Sequence, residues 1–151
     1  MEVIRIIKEE AENLIKKMID EFEIDIKKED KVYQIKIKTD KEASIIIGRH
    51  GETIRSIQKL LDVVLFKRFK TPINVLVNVN DFREKQKEKL EKIAQKMAQK
   101  TIEEKKPNFI QNLSPYERKL VHEYIGKNYP LLTTYSTGEG KERQLVIDFK
   151  K

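Results

Sequence analysis

Hydrophobic positions along the chain change their spacing repeatedly, and each change marks an element. Val3, Ile6, Ile7, Ala11, Leu14, Ile15 and Met18 recur three and four apart, predicting an amphipathic helix. The period then falls to two. Phe22, Ile24 and Ile26, and after a charged stretch at 27–31 Tyr33, Ile35 and Ile37, predict two strands joined as a hairpin. Asp40 is a candidate N-cap for a short helix through Ala43–Ile46, with Ile45 read as core. That helix stops at Gly48, and Gly51 opens a longer one. Ile54, Ile57, Leu60, Leu61, Val64 and Leu65 form the predicted buried stripe of the longer helix. Pro72 bars its continuation, and Ile73, Val75, Val77 and Val79 alternate as a third strand. Residues 1–80 therefore read as helix–strand–strand–helix–helix–strand.

Asp81 is a candidate cap for a long helix over 83–104. Its narrow apolar stripe is Leu90, Ile93, Ala94, Met97, Ala98 and Ile102, on a surface rich in Lys, Glu and Gln. Pro107 ends it, and Phe109, Ile110 and Leu113 follow as a short extended segment. Ser114-Pro115-Tyr116-Glu117 has the form of a capping box with proline at the first helical position. This helix runs through Leu120, Val121, Tyr124 and Ile125, with Gly126 as its expected stop. Residues 131–137 predict a strand, 138–140 a turn, and Leu145, Ile147 and Phe149 a last strand. The division this suggests is 1–80 and 81–151, in an α+β chain with no flexible linker between the halves.

Charge adds a partner class. The chain has 32 Lys and Arg against 25 Asp and Glu, a formal net charge of +7. Most of the excess lies in residues 81–151, which hold 16 basic and 11 acidic residues against 16 and 14 in residues 1–80. Such a balance favours a polyanionic partner without naming it. With no cysteine, disulfides, thiolate metal sites and cysteine nucleophiles are excluded. No cofactor is expected. No apolar run approaches the roughly 20 residues that span a bilayer, and the amino-terminal segment is charged, so a cytoplasmic protein without membrane insertion is expected.

Two short constellations carry candidate chemistry. Gly48-Arg49-His50-Gly51 sits between two helices. Its glycines permit positive φ and close approach, free N–H groups of the following helix point into the turn, and Arg49 and His50 lie between the glycines. Those parts suit a nucleic-acid backbone, although a plain helix–helix turn uses the same residues. Arg118 and His122, four apart on a helix, share one face. The guanidinium fork suits phosphate, and the imidazole can stack on a base or hydrogen-bond; a surface ion pair has the same spacing.

Ile45-Ile-Ile-Gly-Arg-His-Gly51, in this order of elements, resembles the GxxG loop of a type II KH domain, a three-stranded mixed sheet with three helices. The segment Asn112–Glu123 around Arg118 and His122, with Thr133–Gly138 and Arg143, resembles the R-three-H (Arg-x-x-x-His) domain. The two in succession are similar to the bacterial Jag/KhpB family, except that the chain starts at the first KH helix without the Jag domain that members commonly carry. The resemblance implies that Gly48, Arg49, His50 and Gly51 hold about four nucleotides of single strand. Ile46 and Ile47 would form an apolar floor, and Arg55 would add a phosphate contact. It implies that Arg118 and His122 contact the strand too, with Lys119 and Arg143 adding charge. The implied partners are single-stranded RNA, or single-stranded DNA, and a small single-KH protein. The implied roles are post-transcriptional regulation and control of cell elongation and division.

Tyr116, Tyr124 and Tyr135 are candidate stacking rings, Tyr124 being assigned to packing and Tyr135 left open. Two other classes compete. A metal-dependent nuclease needs converging carboxylates, which the dispersed acidic residues do not supply. A protein-interaction scaffold would need no basic GxxG.

Overall fold

The computed structural model describes all 151 residues. They divide into two compact units, Met1–Arg83 and Glu84–Lys151. In the first, helix α1 (Glu2–Ile15) precedes strands β1 (Glu23–Glu29) and β2 (Val32–Lys38). Helices α2 (Ala43–Ile47) and α3 (Glu52–Phe69) follow, then strand β3 (Val75–Val79). The sheet order is β1-β2-β3, β1 antiparallel and β3 parallel to β2. This is the helix order and mixed sheet expected for the first half.

The alternation of the strands sends Ile24, Ile26, Ile35, Ile37, Val77 and Val79 to one buried face. There they meet Ile7, Ala11 and Ile15 of α1 and Ile54, Ile57, Leu61 and Leu65 of α3. The outer edge of β3 is covered by side chains. Gln58 Oε1 accepts from the Val77 N–H at 2.7 Å, its amide nitrogen donates to the Val75 carbonyl, and Arg83 Nε donates to the Val77 carbonyl at 2.6 Å. An edge satisfied in this way offers no template for another strand.

Several expectations change here. Strand β1 runs through the charged stretch, since Glu29 already pairs with Val32, and the turn is only Asp30-Lys31. Asp40 does not cap α2, whose N-cap position is Glu42. Glu42 instead turns its carboxylate to the Asp20 and Glu21 N–H groups. Leu60 and Val64 are not core: they are 52% and 37% exposed, beside exposed Val63 and Phe66. Ile45, also assigned to the core, is 51% exposed. The start of α4 (Phe82–Glu104) is served by Asn78, whose Oδ1 accepts from the Arg83 N–H at 3.1 Å. Asp81 has a φ of 60°, not the extended backbone of an N-cap.

In the second unit the remainder of α4 packs with β4 (Asn108–Ile110), α5 (Pro115–Asn128), β5 (Leu132–Thr137) and β6 (Gln144–Phe149). Its sheet is antiparallel in the order β4-β6-β5. Leu90, Ala94, Ala98, Val121, Ile125, Leu132, Leu145 and Ile147 form the core. Thr101 replaces Ile102 on the buried stripe, its hydroxyl donating to the Met97 carbonyl and accepting from Asn108 Nδ2. The capping box is complete: the Glu117 N–H donates to Ser114 Oγ at 3.2 Å, and the Ser114 N–H donates to Glu117 Oε1 at 2.9 Å. Gly126 is not a stop. It lies inside α5, where helical φ needs no glycine and the bonding ladder continues to Tyr129.

Candidate nucleic-acid interface

Each unit carries a site built from its own elements. In the first, α2 ends at Gly48 with φ 73° and ψ 179°, a region open essentially to glycine alone. A Cβ there would lie 2.1 Å from Thr53 Oγ1 and 2.8 Å from Thr53 N, so the first turn of α3 rests directly against the glycine backbone. One 3-10 turn, Arg49–Gly51, leads into α3. His50 (φ 55°) and Gly51 (φ 74°) are both left-handed, and the Gly51 N–H donates to the Gly48 carbonyl at 3.3 Å. No side chain caps α3, so its first N–H groups face the loop with the positive end of the helix dipole.

Arg49 is exposed, while His50, Gly48 and Ile47 are half-buried. Ile46, expected in the apolar floor, is fully buried in the core of the first unit and so presents no surface to a base. Arg55 is half-buried, and its Nη1 donates to the His50 carbonyl at 2.8 Å. That contact makes it a brace for the turn. Gly51 is buried against Phe82, whose ring carbon would stand 2.9 Å from an added Cβ. Elsewhere on this unit a cavity of about 800 Å³ is lined by Asp20, Glu21, Glu23, Asp40 and Glu42 with Lys38 and Lys41. Five carboxylates against two ammonium groups make that cavity a poor seat for a polyanion.

In the second unit α5 lies along β5, and the two elements bring Arg118, Lys119 and His122 to one opening. Its cavity, about 380 Å³, is completed by Pro115, Thr134 and Tyr135. The capping box fixes the entry of α5 and hence the phase of its face. Arg118 Nη1 donates to the Leu113 carbonyl at 2.7 Å, which aims the guanidinium along the helix start. His122 Nδ1 hydrogen-bonds Thr134 Oγ1 on β5, leaving Nε2 as the nitrogen available to a ligand. Lys119 and His122 are exposed and Arg118 half-buried.

Arg143 stands apart from that lining. Its Nη1 donates to the Gly138 carbonyl at 2.8 Å, closing the β5–β6 loop. Tyr124 packs on the core and on Tyr129, with ring centroids 6.3 Å apart, as its place on the apolar stripe predicted. No group of three or more His, Cys, Asp or Glu is placed to hold a metal ion, and no helix is long and apolar enough to cross a membrane.

Thr53 beneath Gly48 and Phe82 against Gly51 belong to neither motif, and Thr134 behind His122 lies within Thr133–Gly138 with no role marked by its residue type. Local chain geometry brings Thr53 to the loop, whereas the fold brings Phe82 and Thr134 to their sites.

Both halves of the chain match known proteins. A family model for the KH domain of KhpA/KhpB matches residues 8–77, and a model for the R-three-H domain matches residues 88–148. A protein named RNA-binding protein KhpB from Lactiplantibacillus plantarum is 32% identical over 107 residues, covering 71% of this chain and 33% of the relative. Proteins of the same name from Clostridium symbiosum and Bacillus subtilis are 31% and 32% identical, covering 81% and 75% of this chain and 54% and 55% of the relatives. The chain thus spans between a third and just over half the length of these curated relatives.

Proposed function

The chain belongs to the Jag/KhpB family, a KH domain followed by an R-three-H domain, and from that membership we propose that it binds single-stranded nucleic acid, RNA in preference to DNA. The observation that carries the reading is the Gly48–Gly51 turn: a backbone shape held by glycine, an uncapped helix N-terminus behind it and an exposed Arg49 in front. Backbone N–H groups and a guanidinium complement phosphate oxygens. The second grip is Arg118, Lys119 and the Nε2 of His122. Two weak grips on one strand gain from effective concentration because one chain carries both. The preference for RNA rests on the name of the relatives. On this reading the protein acts in the cytoplasm in post-transcriptional regulation, with the elongation and division role of the family as its downstream effect. It works by binding, not cleavage.

A protein partner is supported by a second observation. Leu60, Val63, Val64 and Phe66 expose a group of apolar side chains on α3. Exposed apolar groupings of this kind mark association surfaces, and a small single-KH protein is the partner the family suggests. Leu60→Asp with Val64→Asp leaves the core untouched and should abolish its capture.

The test of nucleic-acid binding is polarisation of labelled strands of about 10–20 nucleotides at several salt concentrations. Wild type is compared with Arg49→Asp/His50→Asp and with Arg118→Ala/His122→Ala. Each pair should weaken binding, and the arginine change should reduce the salt slope by about one. Absence of wild-type binding at low salt, or equal binding by all three proteins, would overturn the reading.

A further inference from the structure

The sheet of the second unit has an outer face that shares only Tyr135 with the second grip. Ile110, Leu132, Leu145 and Ile147 point inward and are buried. The alternate positions point the other way. Register sets Phe109 opposite Val146, and Val146 opposite Tyr135, so one apolar row crosses all three strands. Val146 in the middle is 6% exposed, while the rings on either side are 54% and 48% exposed. Packing across strands accounts for the covered valine. It leaves about half of each ring in water.

The next row is made of amides and a hydroxyl: Gln144 faces Thr137, and Gln111 Nε2 donates to Gln144 Oε1 at 3.4 Å. The row on the other side sets Asp148 opposite Thr133, so one carboxylate borders the apolar row, its Oδ1 accepting from the Phe149 N–H at 2.7 Å. Tyr135 also belongs to the lining of the Arg118–His122 cavity, because β5 is the edge strand around which cavity and face meet. Tyr135 thus joins the Arg118–His122 opening to the row across the β5 edge.

We propose that Phe109, Val146 and Tyr135 form a stacking platform for the bases of the single strand whose phosphates Arg118 and His122 hold. The proposal rests on the nucleic-acid reading above and extends it to how bases are met. Two strand spacings of about 4.8 Å separate the rings by roughly 10 Å. That is too wide to sandwich one base, so each ring takes its own. Gln144 and Gln111 lie beside them to meet base edges. Every base has an apolar face, so the platform tolerates many sequences.

Stacking and phosphate contact have different signatures. Removing a stacked ring weakens binding without altering the salt dependence, because a ring displaces no counterion. The experiment uses the intact chain with a labelled 12-nucleotide oligouridine and an abasic strand of equal length. Phe109→Ala and Tyr135→Ala should each weaken oligouridine binding roughly tenfold at unchanged salt slope. Phe109→Tyr and Tyr135→Phe should bind as wild type does. The abasic strand should not distinguish wild type from the alanine variants.

Oligouridine binding by wild type that both alanine variants match would overturn the platform while leaving the two-grip reading intact. Equal weakening on the abasic strand would also overturn it, since the rings would then serve the fold. A wild-type dimer that Phe109→Ala dissolves in sedimentation would assign the face to a second copy of this chain. No wild-type binding to either strand would remove both readings together.

Discussion

Gly48→Ala isolates the backbone conformation on which the first grip depends. At φ 73° and ψ 179° an alanine sits where L-residues are strained by about 1–3 kcal/mol. Its Cβ would also stand 2.1 Å from Thr53 Oγ1, 2.7 Å from Thr53 Cβ and 2.8 Å from Thr53 N. Rotating the threonine relieves only the first contact, because the other two atoms belong to the helix start. Overpacking of that kind costs a further ~1–3 kcal/mol, so the sum is about 4 kcal/mol. For a unit of this size each kcal/mol lowers Tm by roughly 4–8 °C, giving a fall on the order of 15–30 °C. Scanning calorimetry of the whole chain measures the fall. Hydrogen exchange at α3 amides identifies the transition as that of the first unit. Gly126→Ala is the internal control: no atom lies within 4 Å of its added Cβ, and it occupies an exposed helical position. Alanine there should stabilise by about 0.5–1 kcal/mol. A change below about 3 °C for Gly48→Ala, or the same response from both glycines, would refute the reasoning.

Gln58→Ala leaves the Val77 N–H and Val75 carbonyl at the β3 edge without their side-chain partner, costing about 1–3 kcal/mol, with faster hydrogen exchange at the Val77 amide as the direct readout. Ser114→Ala removes half of a buried capping box and should cost about 1 kcal/mol by urea denaturation, lowering affinity for the strand as the face of α5 loosens. Thr134→Val keeps the shape of β5 but deletes the hydrogen bond that orients His122, so strand binding should weaken while Tm stays within a few degrees; unchanged binding would show that the ring needs no such support.

The sequence was most legible where local rules act alone. The two-residue alternation of β1, β2, β3 and β6, the stop at Gly48 and the Ser114–Glu117 box all operate within a few residues, and each stands in the structure. The spacings of GxxG and Arg-x-x-x-His determine only a turn and a shared helix face; the residues flanking them carried the resemblance that singled them out. What periodicity could not supply was how wide each buried stripe is. Leu60 and Val64 fit the apolar period of α3, yet only the four positions Ile54, Ile57, Leu61 and Leu65 meet the sheet, and the rest of the stripe is left on the surface. Ile45, Ile46 and Ile47 are identical in composition, and the angle at which a five-residue helix enters the core decides that only Ile46 is buried.

Two supports, Thr53 and Arg55, come from the helix that adjoins the loop, and tertiary structure decided the other two. Thr53 shapes the space over Gly48, Phe82 closes on Gly51, Arg55 holds the His50 carbonyl, and Thr134 orients His122 from twelve residues away. The row of Phe109, Val146 and Tyr135 belongs to the same class, since it is created by the order β4-β6-β5 and by the register of two strand pairs. Local sequence determines which backbone shapes and side-chain chemistries are available. Which of them meet depends on contacts between segments far apart in the chain, settled when burial of apolar surface selects one packing of the elements.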